Sequence, residues 1–349
     1  MPDDGMDTGS SSAALRLPPI RWAVAGPGRI AAKVAADLAL VEGTTLAAVG
    51  SRSPERARAF ADEHGGPDTR AHGSYRALVD DPDVDVVYIA TPHPQHAALA
   101  VACLEADKAV LVEKTFTATL AGAWRVVDTA RTHQVFAMEA MWTRFQPAVV
   151  RLRELIAEGA IGEPRSVQAD LGTVRDVDPD DRLFSLELGG GALLDLGVYP
   201  VSFAQMVLGT PDRVHAVATR ESTGVDADGA MLLGFPEGRF ATMHTSFHSP
   251  SPGQARVFGT TGWIDVLPRF HHPTTIVLHH DTDDEGERIE LPATGSGLYH
   301  ELVEVTDCLR RGATESTVMP LDDTLAVQGV LAEAADQLGL VFREDDTTV

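Results

Sequence analysis

The stretch Ile20-Arg21-Trp22-Ala23-Val24-Ala25-Gly26-Pro27-Gly28-Arg29-Ile30-Ala31 decides the fold. Its apolar start suits a strand buried on both faces, and the run ends on glycine. Gly26, Gly28 and Ala31 match G-x-G-x-x-A, and residues 28–40 read as a helix. By itself that pattern says little; between a strand and a helix it marks a phosphate loop for a dinucleotide. Gly26 permits the tight turn, Gly28 lets the backbone approach a pyrophosphate, and Ala31 keeps helix and strand close. Arg29 and Ile30 complete the loop, whose N–H groups and helix dipole suit phosphates.

Outward from this loop, strand-like runs recur at 45–50, 84–90, 109–113 and 135–139. Helix-like runs at 54–64, 74–80, 95–106 and 119–133 separate them. Such alternation predicts an α/β domain over residues 20–143, a doubly wound parallel sheet of Rossmann type. Past Arg144 the rhythm changes. A helix is expected at 147–158, strands at 165–173, 213–219, 229–235, 239–247, 255–259 and 275–279, and helices at 195–208, 298–311 and 322–338. Residues 144–342 therefore read as a C-terminal α+β domain on an open, mostly antiparallel sheet. Residues 1–19 are expected to be a disordered tail and 343–349 a frayed end.

Bulk properties agree with two domains, because 349 residues exceed what one core usually holds. With 28 basic and 51 acidic residues the net charge is −23. That excess argues against nucleic acid and anionic membrane surfaces as partners. Cys103 and Cys308 are too few for a disulfide framework or zinc cluster, and both read as reduced and inert. The first 20 residues lack the basic start and apolar run of a secretory signal. No apolar run of about 18 residues stands out as a membrane span. A soluble, cytoplasmic protein is expected.

The end of the second strand bears on the cofactor. An NAD enzyme usually places Asp or Glu there, for the ribose 2′-hydroxyl. This chain reads Val49-Gly50-Ser51-Arg52-Ser53. A hydroxyl and a guanidinium suit a 2′-phosphate, so NADP is expected over NAD. Arg56 is a second candidate; the competing reading of Arg52 is an exposed loop arginine.

Three further stretches carry chemistry. Thr91-Pro92-His93-Pro94-Gln95-His96 follows a strand, at the sheet edge where ligands bind, and Thr91, Pro92, His93 and His96 should border the nicotinamide half. Either histidine could act directly, or His96 could serve as a helix cap. Glu113-Lys114 ends another strand at the same edge. Lys114 could hold a substrate hydroxyl and favour its deprotonation, or form a salt bridge. Gly189-Gly190-Gly191 leads into a helix bearing Asp195 and Tyr199, four apart and so on one face. A nearby lysine would lower the tyrosine from its usual value of about 10, making it a general acid or base. Asp195 would bind a substrate hydroxyl or orient the lysine. Read alone, the two are a helix N-terminal residue and a core aromatic. The pairs His271-His272 and His279-His280 are adjacent, and strand neighbours point to opposite faces, so no metal site is expected.

Taken in order, G-x-G-x-x-A at Gly26, T-P-x-x-x-H at Thr91, E-K at Glu113 and D-x-G-x-Y at Asp195 resemble the Gfo/Idh/MocA oxidoreductases. The stretch Met138-Glu139-Ala140-Met141-Trp142-Thr143-Arg144-Phe145 is similar to the NADP-dependent branch holding dimeric dihydrodiol and D-xylose dehydrogenases. This resemblance implies Lys114 and Tyr199 in the catalytic pocket, with tyrosine where many relatives carry histidine. It implies Trp142 and Arg144 near the cofactor and Trp142 and Phe145 near the substrate, interdomain packing being the other reading. It implies hydride transfer between nicotinamide and a carbinol carbon of a sugar, polyol or dihydrodiol, by a homodimer or homotetramer formed through the C-terminal sheet. The family usually reads Glu-Lys-Pro; this chain has Thr115. Arg175, Asp176 and Phe184 are further pocket candidates. Two alternatives are weaker. An NAD-dependent glycosidase-type enzyme using transient oxidation conflicts with Ser51-Arg52. A non-enzymatic dinucleotide-binding regulator would not need Lys114, Asp195 and Tyr199.

Overall fold

The computed structural model describes residues 18–280 and 285–349. Most of the expected N-terminal tail lies outside the described residues. The first half alternates β1 (Ile20–Ala25), α1 (Arg29–Leu38), β2 (Thr44–Gly50), α2 (Pro54–His64), β3 (Arg70–His72), α3 (Tyr75–Val79), β4 (Val86–Ile89), α4 (His96–Glu105), β5 (Ala109–Glu113), α5 (Leu120–His133) and β6 (Ala137–Ala140). The strands form a parallel six-stranded sheet in the order β3-β2-β1-β4-β5-β6. Consecutive apolar residues such as Trp22, Ala23, Val24 and Ala25 are buried because helices cover both faces. The strand order reverses beside β1, which pairs with β2 on one side and β4 on the other. The carboxyl ends of β1 and β4 thus open a crevice, flanked by Gly26 and Thr91.

The second half contains α6 (Pro147–Ala157), β7 (Pro164–Gly172), α7 (Val198–Leu208), β8 (Arg213–Arg220), β9 (Asp226–Gly234), β10 (Phe240–Ser246), β11 (Ala255–Gly259), β12 (Gly262–Val266), β13 (Thr275–His280), β14 (Glu287–Glu290), α8 (Tyr299–Arg310) and α9 (Leu321–Leu338). Its eight-stranded sheet runs β14-β13-β12-β11-β7-β10-β9-β8. Only β7 and β10 pair in parallel; the remaining pairs are antiparallel. α7 packs on β7 and β10, and α9 on β8, covering one face. The sequence reading missed β3, β12 and β14, which are short and lean on neighbouring strands rather than on strong periodicity of their own.

Two differences concern the C-terminal end. α8 contacts α1 and α9 contacts α5, so the last helices return to the first sheet's side. The expected frayed end at 343–349 is instead docked. Glu344 Oε1 accepts from Thr119 N and Thr119 Oγ1 at 2.8 Å, and Asp345 N donates to Pro94 O at 2.7 Å. An acidic side chain is favoured there because the start of α5 presents unsatisfied N–H groups. Residues Leu186–Leu208 are also apolar enough by length and composition to cross a membrane, with a mean hydropathy of 1.4. They are 89% buried inside the fold, as a core helix requires.

Candidate active site

The phosphate loop is shaped by close packing. Gly26 has φ +89°, and a Cβ there would lie 2.9 Å from the Ala90 carbonyl carbon and oxygen. Only glycine lets the turn after β1 meet the end of β4. At Gly28 a Cβ would meet nothing nearer than Gly26 O at 4.0 Å, so the protein leaves that side open for a ligand. α1 begins without a side-chain cap. Its first N–H groups are free for an anion. Thr91 Oγ1, across the crevice, is buried with no partner among the described residues. Open amides, a bare glycine and an orphaned hydroxyl fit a dinucleotide here. Arg29 is exposed on the first turn of α1, while Ile30 lines the inner cavity.

At the end of β2, Ser51 is buried and its Oγ accepts from Ser53 N at 3.2 Å. Arg52 is exposed, and Arg56 donates to Pro27 O at 3.0 Å. The Arg56 guanidinium therefore flanks the phosphate loop, and Arg52 stands exposed at the end of β2. The nearest acid along the chain, Glu55, accepts from Ser53 Oγ at 2.8 Å at the start of α2.

Beyond the loop lies a cavity of about 240 Å³. One side carries Ile30, Ala90, Thr91, His93, Glu113 and Lys114; Ala140, Trp142, Arg182, Tyr199 and Leu298 close it. The Lys114 ammonium donates to Asp195 O at 2.8 Å and lies 3.5 Å from Asp195 Oδ1. It also stands 4.7 Å from the centroid of the Tyr199 ring. Asp195 sits in a wide π-type turn, Leu193–Gly197, that runs into α7. This irregular turn places the Asp195 carbonyl and the Tyr199 ring around one lysine. Glu113 stays behind them, taking the Tyr88 hydroxyl at 2.5 Å and Lys114 N at 3.1 Å. The Lys114–Thr115 peptide is cis, and Thr115 Oγ1 donates to Leu194 O at 2.7 Å. Threonine thus ties the lysine loop to the π-type turn through a bond that proline could not make.

Electrostatics follow this packing. Burial pushes Asp195 up, but Lys114 and Arg182 outweigh it and hold the carboxylate well below its usual range. Burial opposes the Lys114 charge, yet Asp195, Tyr199 and Glu113 raise it above the usual lysine value. For Tyr199 the expected lowering does not result. Burial raises the phenol more than the Lys114 charge lowers it. The resting cavity therefore holds an ammonium, a carboxylate and a neutral phenol.

Not every expected residue reaches the cavity. His96 is fully buried in protein, its Nε2 2.7 Å from Thr91 O and its Nδ1 3.0 Å from Thr115 O. It fastens the two loops to each other and stands outside the cavity wall; burial pulls its pKa down to about 4. Arg144 was expected beside the cofactor. It is buried and directs its donors to Asp323 at 2.6 Å, Gln205 at 2.5 Å and Val318 O at 3.3 Å. Phe145, expected at the substrate, joins the hydrophobic core. The tight turn Trp142–Phe145 explains the split: it sends Trp142 to the cavity and the next residues inward. Pro92 precedes the turn that carries His93. Arg175 and Asp176 are exposed, and Phe184 packs on Phe247 at 5.9 Å.

Other residues enter unannounced. Arg182 donates to Asp195 Oδ1 at 3.2 Å and lines the cavity. Nothing in its local sequence marks it. His271 lies 4.9 Å from the Tyr199 ring and His272 5.2 Å from Trp142, centroid to centroid. Their adjacency was visible, but they sit on a turn between β12 and β13, so strand alternation does not apply. Burial holds His271 neutral, at about 2. Among the described residues, no group of three or more His, Cys, Asp or Glu converges on a metal position.

Comparisons with known proteins agree with this layout. Residues 20–141 match the oxidoreductase family model with an NAD-binding Rossmann fold, and residues 149–265 match the Gfo/Idh/MocA C-terminal domain. The chain is 35% identical over 341 residues to trans-1,2-dihydrobenzene-1,2-diol dehydrogenase of Bos taurus, covering 93% of this chain and 99% of that one. The Homo sapiens protein of that name is 35% identical over 340 residues, with the same coverage. Among solved structures, the 3-ketoreductase KijD10 of Actinomadura kijaniata, in complex with NADP and TDP-benzene, superposes with a TM-score of 0.80 at 27% identity. That match covers 93% of this chain and 98% of the reductase. The aldose-aldose oxidoreductase of Caulobacter crescentus gives a TM-score of 0.81 at 25% identity, over 91% of this chain and 98% of that one. With both sheets, the phosphate loop and the lysine–tyrosine pair in place, this chain belongs to the Gfo/Idh/MocA family of oxidoreductases.

Proposed function

We propose that this protein is an NADP-dependent oxidoreductase acting on a carbinol carbon of a sugar, polyol or dihydrodiol. The observation that carries the reading is Lys114 held between Asp195 and the Tyr199 ring, in a cavity that also touches Ile30 of the phosphate loop. When bound, a nicotinamide dinucleotide supplies the hydride acceptor or donor. Gly26, Gly28 and the uncapped start of α1 hold its pyrophosphate, and Arg52 and Arg56 favour a 2′-phosphate. In the reducing direction the neutral Tyr199 phenol gives its proton to the carbonyl oxygen, while the Lys114 ammonium stabilises charge developing there. In the oxidising direction ionised Tyr199 takes the hydroxyl proton.

The names of the relatives support a diol or sugar as substrate. A second copy of the chain suits the open face of the C-terminal sheet, where Val217, Leu232 and Phe240 are exposed on β8, β9 and β10. Two free, buried cysteines suit the cytoplasm. The first test is titration of the protein with NADPH and NADH, followed by turnover of sugars and diols. NADPH bound tighter by tenfold or more, about 1.4 kcal/mol, together with turnover lost in Tyr199→Phe, supports the reading. Equal binding of both cofactors removes the NADP assignment, and turnover unaffected by Tyr199→Phe removes the proton-transfer role.

A further inference from the structure

Leu298 lines the cavity together with Ile30, which stands at the start of α1. It also occupies the cap position of α8, where its side chain makes no hydrogen bond to the helix. The first N–H groups of a helix need an acceptor, and leucine is among the poorest caps. The chain has given up a cap here for an apolar wall.

The missing acceptor comes from the other end of α1. Asp37 is 3% exposed, and its Oδ2 accepts from Tyr299 N at 2.9 Å, Ser296 Oγ at 3.0 Å and Ser296 N at 3.0 Å. Its Oδ1 accepts from Ser296 N at 2.9 Å. A carboxylate also suits the positive end of the helix dipole. Two glycines make room for this approach. On Gly295, at φ +60°, a Cβ would lie 2.4 Å from Asp37 Oδ1. On Gly297, at φ +96°, it would lie 2.9 Å from Gln146 Oε1. Gln146 is fully buried and holds the loop from its other side, its Nε2 donating to Gly297 O at 2.9 Å and Trp142 O at 3.1 Å. Leu298 is thus fixed between α1 and the turn that carries Trp142.

We infer that Asp37 is a positioning residue: by capping α8 from the first domain it sets the place of Leu298, and with it the apolar wall that a bound substrate meets. The inference rests on the oxidoreductase reading of the same cavity. Asp37 stands outside the cavity wall and acts only through the loop it holds. α1 then carries the phosphate loop at one end and the anchor of the substrate wall at the other. An apolar wall holds ground state and transition state alike, so its displacement raises KM and spares kcat. A general folding defect would instead reduce the active fraction, and with it the apparent kcat, at unchanged KM.

The test measures oxidation of trans-1,2-cyclohexanediol by NADP⁺ in the wild type, Asp37→Asn, Leu298→Ala and the double variant. Ser296 N faces both carboxylate oxygens, so either orientation of an asparagine turns a donor on it. Asp37→Ala is run beside it, being smaller and free of the misplaced donor. Leu298→Ala should raise KM about tenfold, and Asp37→Asn about threefold or more, with kcat within about twofold. NADPH affinity should hold in all of them. On the Leu298→Ala background the Asp37 change should add less than about twofold, as for two residues acting through one contact. Full multiplication of the two effects on KM overturns the inference, as does a fall in kcat at unchanged KM. Amide hydrogen exchange needs no turnover: residues 296–302 should exchange about tenfold faster in Asp37→Asn, with α7 unchanged. Unchanged protection of 296–302 overturns the inference whatever the kinetics. A wild type that oxidises no sugar or diol overturns the proposed function, and the role given to Leu298 with it.

Discussion

The Lys114 ammonium lies 4.7 Å from the centroid of the Tyr199 ring. The lysine directly follows β5 of the first domain and the tyrosine opens α7 of the second, so the cavity is assembled across the domain boundary. Tyr199 is buried and Lys114 largely so, which strengthens their interaction beyond its value in water.

Lys114→Met should lower turnover by about 10²–10³-fold, the range for losing a donor that stabilises charge developing in the transition state. NADPH affinity should stay within a few fold, since the proposed phosphate site at Gly26, Gly28 and the start of α1 does not include Lys114. Steady-state kinetics beside fluorescence titration checks this; a near-normal rate would remove Lys114 from the chemistry.

Arg52→Ala should weaken NADPH by about tenfold or more, near 1.4 kcal/mol, and NADH hardly at all. The 2′-phosphate is the only group that distinguishes the two cofactors. Equal losses would assign Arg52 to the adenine or to the loop itself.

The pH dependence follows from the raised pKa of Tyr199. Burial favours the neutral phenol, so the general acid for reduction is present at neutral pH and is lost only as pH climbs past the usual phenol value of about 10. Oxidation needs the ionised form, so its kcat/KM should rise with pH without levelling below that value. Lys114 is also raised, and its charge persists across the same window. A plateau of the oxidation profile near neutrality would show that another group takes the proton.

Arg144→Met should act on stability rather than on cofactor binding. The guanidinium bridges Gln205 and Asp323 from a buried position. Arg144 is buried but Asp323 is about a third exposed, so losing the guanidinium should cost about 1–3 kcal/mol, mostly from the buried Gln205 left without its partner. Chemical unfolding should register that loss while NADPH affinity stays within a few fold. A large selective loss of NADPH binding would restore the cofactor role that the sequence suggested.

Gly191→Ala should damage both folding and catalysis. Its φ of +112° disfavours a side chain, and the added methyl would collide with Asp226, whose Oδ2 accepts from Leu193 N at 2.6 Å. A backbone of this kind costs about 1–3 kcal/mol. A fall in Tm together with lost turnover is expected, because Leu193 opens the turn that carries Asp195; an unchanged Tm would mean that the turn adapts.

Local patterns made much of this protein legible. Continuous apolar runs between amphipathic helices marked the parallel sheet, because burial on both faces leaves no room for polar alternation. Gly26 and Gly28 marked the phosphate loop, because backbone approach excludes side chains. Lys114 and Tyr199 could be named because strand ends and helix starts at a switch point face the ligand. Short edge elements such as β3 and β14 were missed, since their strand character comes from neighbours. What only the tertiary structure decided is which polar groups are already engaged. For His96 and Arg144 the sequence left a structural and a functional reading open, and carbonyls and carboxylates distant along the chain use their hydrogen bonds. Arg182 looked like any loop arginine until the fold brought it against Asp195. Hydrogen bonds and burial join residues across long sequence separations, so partner identity, and with it the charge and role of each group, emerges only when the two domains close on each other.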